Sequence, residues 1–445
     1  AHQGARGPRA PRGRRGLARE GGARESAAGC ERMGAVLPCS CAPFLSRPSV
    51  PAQLREGAVD GFARTFEGRR PEALGVAPGR AEILGNHTDY NEGFILAAAI
   101  DRYVVIAGRR TDEPTCRVAS SAFPGRIVTF SAASPEKKAG EEKWANYVAG
   151  VVSELAKLGL HVTGFDAYLT SDIPQGAGMS SSAAVEMATA KLLASLFPST
   201  VGKLADMDII QVAKAAENNF VGMGCGILDQ FTSGKGRAGH VVFLDCRTLY
   251  FKFAPFKGAQ FVLANTNAPH QLVDGKYNEL RQHCFAVASA IKRETGSSKI
   301  THLRDVSSDL LAEHADKLSD AQRRRAKHIV TENERVHSAI AALKAGDLAG
   351  IGQMLKDSHL SSRDDFGNSC KELDVMAECA EGIEGFLGAR LMGGGFGGAT
   401  LNLVREGHAE AFAAELARRY QARTGRRADT VVFVPGNGAF SVKAD

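Results

Sequence analysis

Five of the six residues at 393–398 are glycine, GGGFGG, and the run lies between two apolar segments, GARLM and ATLNLV. Neither a helix interior nor a strand sustains that density, because each glycine costs roughly 0.5–1 kcal/mol relative to alanine in such positions. A flexible linker would not carry such apolar flanks. The run therefore predicts a tight turn, or a backbone brought close to a ligand or another loop, within a folded unit.

The segments around it mix helix and strand. ATLNLV and TVVFV read as strands and AEAFAAELARRYQART between them as a helix. Upstream, helices are expected over 51–70, 145–159, 182–197, 207–221, 276–293, 321–344 and 370–387, from apolar residues at helical spacing. Strands are expected at Ala81–Leu84, in GFILAAAIDRYVVIAGRR, in GFDAYLTSDIP, and in HVVFLDCR and AQFVLANTN. Strict βα alternation is absent, so the class is α+β, with two domains meeting within 200–260.

Charge excludes one class of function. The net charge is +6, but residues 1–32 hold eight Arg and three Glu, which leaves about +1 for the rest. The body has no basic surplus for nucleic acid, and none is expected as a partner. The Gly/Pro/Arg-rich head is too poor in large apolar side chains to offset its ordering entropy. Residues 1–50 are expected to be a disordered basic head, or an upstream or targeting segment. No run of about 18 apolar residues predicts a membrane helix. The nine cysteines are scattered, which suggests reduced thiols and a cytoplasmic protein.

Three further loops concentrate polar residues. In AEILGNHTDYNEG (81–93) a polar run follows a strand and ends at a glycine turn. Asn86-His87-Thr88 matches a glycosylation acceptor, but nothing supports secretion. A metal reading of His87 and Asp89 lacks a third ligand in the sequence. In SDIPQGAGMSSSAAVEMATA (171–190) a strand passes through Gly176-x-Gly178 into three serines and a helix. Such a start favours an anion, as unpaired N–H groups and the helix dipole point at it; an ordinary serine cap is the plainer reading. It is not a Walker A loop, because the G-K-[ST] ending is missing. In ENNFVGMGCGILDQFTS (217–233) a helix carries Glu217 and a glycine-rich break presents Asp229. Two such carboxylates suit a metal and a reacting hydroxyl, or simply face solvent.

In this order, PGRAEILGNHTDYNEG, PQGAGMSSSAAVE, CGILDQF and LMGGGFGGAT resemble the GHMP family of small-molecule kinases, and within it the galactokinases. WANYVAGV, HQLVDGKYNELRQHC, RRRAKHIVTENERV and SHLSSRDDFGNSCKELD extend the likeness from about residue 50 to the end.

The resemblance implies a two-domain α+β fold. An N-terminal domain (51–255) would contain a left-handed βαβ unit, and a C-terminal domain (256–445) would be ferredoxin-like. It implies a soluble monomeric enzyme that phosphorylates galactose at the anomeric hydroxyl, using ATP and Mg²⁺. By the same resemblance, Asp229 takes the hydroxyl proton and Arg80 stands beside it. Residues Gly176, Ala177, Gly178, Met179, Ser180, Ser181 and Ser182 would wrap the nucleotide phosphates, and Ser182 and Glu217 would hold Mg²⁺. Asn86, His87, Thr88, Asp89, Gly226 and Tyr277 would bind the sugar.

The chain departs from the family pattern twice. Galactokinases mostly carry Glu where this chain has Asn86, and Asn where it has Glu82. Glu82 is expected either to pair with Arg80 or to restore the carboxylate missing at 86. The departures leave N-acetylgalactosamine, arabinose or a uronic acid as alternative substrates. A catalytically silent galactose sensor is the alternative from another class.

Overall fold

Two sheets and the helices around them carry the site. The computed structural model describes residues 50–444 except 175, 177 and 269–272. The basic head and Ala177 therefore lie outside the described residues, as does the Pro-His-Gln-Leu stretch before residue 273.

The first part of the chain runs α1 (Ala52–Thr65), β1 (Ala73–Leu84), β2 (Phe94–Arg110), β3 (Thr115–Ser120), β4 (Ile127–Ser131), α2 (Asn146–Lys157) and β5 (Phe165–Ser171). It continues through α3 (Ser181–Leu196), α4 (Asp206–Ala215), α5 (Leu228–Lys235), β6 (His240–Asp245) and β7 (Phe251–Pro255). The second part holds β8 (Ala259–Asn265), α6 (Val273–Thr295), α7 (Ser308–Glu313), α8 (Asp320–Ala345), α9 (Leu348–Ser361) and α10 (Lys371–Ala380). It ends with β9 (Phe386–Leu391), β10 (Ala399–Arg405), α11 (Ala409–Thr424), β11 (Asp429–Phe433) and β12 (Phe440–Lys443).

The larger sheet has the order β12-β1-β2-β5-β3-β4, with β6 and β7 attached to the start of β2. Every residue of β1 is buried, so this strand is covered on both faces and shows no polar alternation. β4, at the edge, alternates exposed and buried. β3 and β5 pair in parallel; β4 and α2 form the crossover that such a pair requires. The smaller sheet, β11-β8-β10-β9, is antiparallel throughout. Counted from β8, this is the order 4-1-3-2, with helices after the first and third strands, as in ferredoxin-like folds. β12 then returns to the first sheet and pairs with β1, from Ala73↔Lys443 to Val76↔Phe440. The final strand of the 256–445 segment therefore belongs to the N-terminal sheet.

Several elements differ from expectation. The helix expected over 370–387 stops at Ala380, and Phe386–Leu391 is a strand. Gly382 and Gly385, at φ of 71° and 81°, make the break. The helix over 207–221 is α-helical only to Ala215; residues Ala216–Val221 form a π turn closed by Gly222 at φ 96°. Such turns are frequent at functional sites, and this one carries Glu217. β1 begins at Ala73 rather than Ala81, because Pro78 and Gly79 mask a strand that absorbs them through a register shift between Pro78 and Arg80. Among the described residues no helix is long and apolar enough to cross a membrane.

Candidate active site

β1 delivers the first functional side chain through its irregularity. Pro78 has no N–H to donate, and the bulge after it turns the backbone N–H of Arg80 away from the sheet onto the Met179 carbonyl, at 3.0 Å. The loop before α3 is thereby hung on β1. The Arg80 side chain lies along the same loop, donating to the Gly178 carbonyl and, through Nε and Nη2, to both oxygens of Asp229 at 2.7 and 2.9 Å. Asp229 sits in the first turn of α5, not on a loose turn as expected. The Ser180 hydroxyl also donates to Asp229 Oδ2. A carboxylate has about four acceptor sites. Arg80 and Ser180 fill three, leaving Oδ1 open to a substrate hydroxyl.

A cavity of about 370 Å³ opens beside this pair, and its wall includes Asn86, His87, Asp89, Glu217, Gly226 and Tyr277. Of the residues expected to bind the sugar, only Thr88 is outside the wall. Thr88 is fully buried, and its hydroxyl lies within hydrogen-bonding distance of the Gly85 and Phe94 carbonyls, closing the loop from beneath.

Burial, and secondarily the negative charge of Asp229, push the Asp89 carboxyl up to about 6. A Cβ on Gly226 would lie 1.9 Å from Asp89 Oδ2, so glycine is required for the 222–226 segment to pass this carboxylate. Gly226→Ala should displace Asp89 and lower kcat/KM for the sugar by roughly 10²-fold, the scale expected of a displacement of about 1 Å; an unchanged kcat/KM would contradict this packing. Asp89 also sets a pH dependence. As pH falls through about 6 the empty site gains a proton and loses a hydroxyl acceptor. Sugar affinity without nucleotide should then fall about tenfold between pH 7 and 5. Calorimetry across that range checks it, and Asp89→Asn should flatten the profile.

His87, at φ 60°, turns the loop. Burial pushes its imidazole down to about 3, so it is neutral at physiological pH. Nε2 faces the Gly394 carbonyl at 3.3 Å and Nδ1 faces the Tyr90 hydroxyl at 2.9 Å. A carbonyl only accepts, so Nε2 carries the hydrogen and Nδ1 accepts from Tyr90. Both nitrogens are thus occupied by protein, and His87 ties the 81–93 loop to the glycine run at 393–398. Gly395 anchors that run on the opposite side: it has φ 81°, and a Cβ there would meet the Asn368 carbonyl at 2.0 Å.

Asn86 is 1% exposed and fully engaged. Its Nδ2 donates to Glu82 Oε1 at 3.0 Å and to the Gly393 carbonyl at 2.8 Å, and its Oδ1 accepts from Asn368. Glu82 pairs not with Arg80 but with the buried Arg390, at 3.0 Å. The expected Glu82–Arg80 pair is therefore replaced, because Asp229 already occupies Arg80. Glu82 itself lines the cavity, so a carboxylate is present directly against the Asn86 amide.

Helix α8 supports this loop from below, a role its sequence did not reveal. Glu332 is fully buried, and its Oε1 accepts from the Gly85 N–H at 2.9 Å, the Asn86 N–H at 3.2 Å and the Ser358 hydroxyl at 2.9 Å. His328 contacts the Asn86 carbonyl and Asn333 Oδ1 accepts from the Phe94 N–H. The available signal was a single acid, Glu332, two residues after the apolar pair Ile329-Val330, a spacing that places it on the buried side of the helix.

In the loop before α3, Gly176 and Gly178 both have positive φ, and Ser180 precedes α3 in the left-handed region. Ser181 and Ser182 face a second cavity of about 300 Å³, walled by Phe123, Trp144 and Tyr147. Met179 is buried beneath the loop. The nearby Ser182 hydroxyl lowers the Glu217 carboxyl only slightly. Burial, then the charge of Asp229, raises the Glu217 carboxyl.

Known proteins share this organisation. Residues 60–110 match the galactokinase galactose-binding signature, 146–237 the GHMP kinase N-terminal domain and 339–422 the GHMP kinase C-terminal domain. A galactokinase of Chloroflexus aurantiacus is 37% identical over 85% of this chain and 96% of its own length. That of Bacillus subtilis is 35% identical over 88% of this chain and 100% of its own. The crystal structure of Lactococcus lactis galactokinase complexed with galactose superposes with a TM-score of 0.78 at 32% identity, covering 86% of this chain and 98% of that one. A mevalonate kinase shares the fold at 16% identity and a TM-score of 0.56. Motif order, site geometry and likeness over nearly the whole described chain agree, and the chain belongs to the galactokinase family of GHMP kinases.

Proposed function

We infer that this protein transfers the γ-phosphoryl group of ATP to the anomeric hydroxyl of galactose, giving α-galactose 1-phosphate and ADP. One observation carries the reading: Asp229, gripped by Arg80, opens its free acceptor site into the cavity that Asp89 also lines. The sugar hydroxyl donates to Asp229 Oδ1, which takes its proton as the new P–O bond forms. Arg80 holds both oxygens of Asp229 and lies against the loop before α3, where negative charge moves during transfer. Asp89 accepts from neighbouring hydroxyls, so a misplaced hydroxyl strands a buried acceptor and an epimer is rejected. The aromatic walls beside Ser181 and Ser182 suit a nucleotide base.

Mg²⁺ fits the same loop. Glu217 is 7% exposed, yet two further carboxyl groups, Glu186 and Asp229, face it, and Glu186 Oε1 is buried without a partner. A cation held by Glu217 and Ser182 would relieve this crowding. Among the described residues no three His, Cys, Asp or Glu side chains are grouped to hold a metal unaided. Mg²⁺ needs few protein oxygens when phosphates and water complete its shell. Bound there, it would neutralise phosphate charge.

Asn86 and Glu82 set the sugar preference in this reading. Asn86→Glu alone places two carboxylates where one amide now donates to Glu82, and should weaken both stability and galactose affinity. Adding Glu82→Asn restores a single charge and should recover folding with an altered ranking of galactose against N-acetylgalactosamine and arabinose. An unchanged ranking would remove these positions from specificity. The six described cysteines are free thiols, which suits a reducing cytoplasm. The reading is tested by ADP release with Mg-ATP and a panel of monosaccharides. Release with galactose supports it; binding of galactose without ADP would indicate a sensor.

A further inference from the structure

A buried amide joins three segments that carry the chemistry. Gln230 follows Asp229 on α5 and is completely buried. Its Nε2 donates to Glu186 Oε2 at 3.0 Å and to Glu217 Oε2 at 2.5 Å. An amide nitrogen has two hydrogens, so both are committed, one to each carboxylate. Glu186 stands on α3, the helix that begins at the phosphate loop, and is itself fully buried. Glu217 stands on the π turn.

The arrangement is not one that packing alone would favour. Glu186 Oε1 and Gln230 Oε1 are both buried without a partner. An unpaired buried acceptor costs free energy, and a leucine at either position would avoid that cost. What the bridge does provide is orientation. Glu217 Oε2 accepts from Gln230 and, at 3.4 Å, from the Cys225 thiol. With that oxygen held, rotation of the Glu217 carboxylate is blocked and Oε1 is the oxygen left to coordinate a cation.

We propose that Glu186 and Gln230 are positioning residues for the metal: the Glu186–Gln230–Glu217 bridge fixes which carboxylate oxygen of Glu217 is presented to Mg²⁺. The proposal rests on Glu217 as a metal ligand. Partners of metal-ligating side chains typically change metal affinity by 10–100-fold when removed.

The test uses Mn²⁺ as the probe, its binding to the full-length protein with ADP followed by electron paramagnetic resonance, and galactose affinity measured separately by calorimetry. Gln230→Leu should weaken Mn²⁺ binding at least tenfold with galactose affinity kept within about twofold. Gln230→Asn, which keeps the amide but withdraws it by one methylene, should do the same and covers the case that the leucine variant does not fold. Glu186→Leu should follow them. Glu186→Gln, which still offers Gln230 an oxygen, should stay near the wild-type value. Mn²⁺ affinity unchanged in Gln230→Leu or Gln230→Asn would overturn the proposal, as would parallel loss of metal and galactose binding, which marks a merely structural role. Loss in Glu186→Gln equal to that in Glu186→Leu would overturn it too, since charge rather than orientation would then matter. Glu217→Gln separates the underlying reading: unchanged Mn²⁺ binding in that variant removes Glu217 as a ligand, whereas loss there with none in the Gln230 variants removes only the bridge.

Discussion

Asp229→Asn is expected to lower kcat by about 10²–10⁴-fold, the range that a positioned proton acceptor contributes, while galactose binding stays measurable by calorimetry. The asparagine keeps the size of the side chain, so the cavity wall survives. It cannot take a proton from the sugar hydroxyl. It also leaves the 7%-exposed Arg80 side chain without its ion-pair partner. Arg80 retains the Gly178 carbonyl, which limits the structural damage to the site. Steady-state rates at saturating galactose and ATP, with calorimetric titration of galactose, separate the chemical loss from a binding loss. Near wild-type kcat would remove Asp229 from the chemistry.

Glu332→Ala should be the most damaging change that touches neither substrate. It strips the partner from the Gly85 and Asn86 N–H groups and from the Ser358 hydroxyl. It also removes the carboxylate from Arg335, whose Nε lies 2.7 Å from Glu332 Oε2, leaving that guanidinium only the Thr331 hydroxyl. Removing one partner from a buried charged network costs about 3–5 kcal/mol. The positive surroundings of Arg335 and Arg390 hold the Glu332 carboxyl well below the usual range despite burial, so it stays ionised in ordinary buffers. Urea unfolding should show the loss as a lowered midpoint. Galactose affinity should fall with it, because Asn86 and Asp89 ride on the loop that Glu332 holds. A variant with wild-type midpoint and affinity would show that α8 is not the support described here.

The chemistry-bearing loops were legible in the sequence because glycine and polar residues cannot hide inside apolar periodicity. The 81–93 run, the glycine-serine helix start, the Asp229 segment and the 393–398 run all meet at the site or its supports. Their partners were not legible. Arg390 reads as one residue of an apolar run, and only the fold brings it to Glu82, 308 positions away. The choice between Glu82 pairing with Arg80 or standing near Asn86 could not be made from spacing, since it depended on Asp229 reaching Arg80 first. Glu332 and His328 lie in a charged helix whose period marks a face, not the loop that face meets. Among the elements, short strands such as β3 and β4 were passed over because five or six residues carry little periodicity. The first two residues of the strand at 386–391 were absorbed into a helix because their apolar character continues the preceding spacing; two glycines at positive φ decide otherwise.

The measurement that bears most directly on the account is phosphorus NMR of a reaction containing the purified protein, Mg-ATP and galactose. The account predicts a new phosphomonoester resonance coupled to the anomeric proton of the sugar, growing as the γ-phosphate signal of ATP declines. A phosphomonoester coupled to the protons of the primary alcohol, or ATP left unchanged while galactose binds, would contradict it.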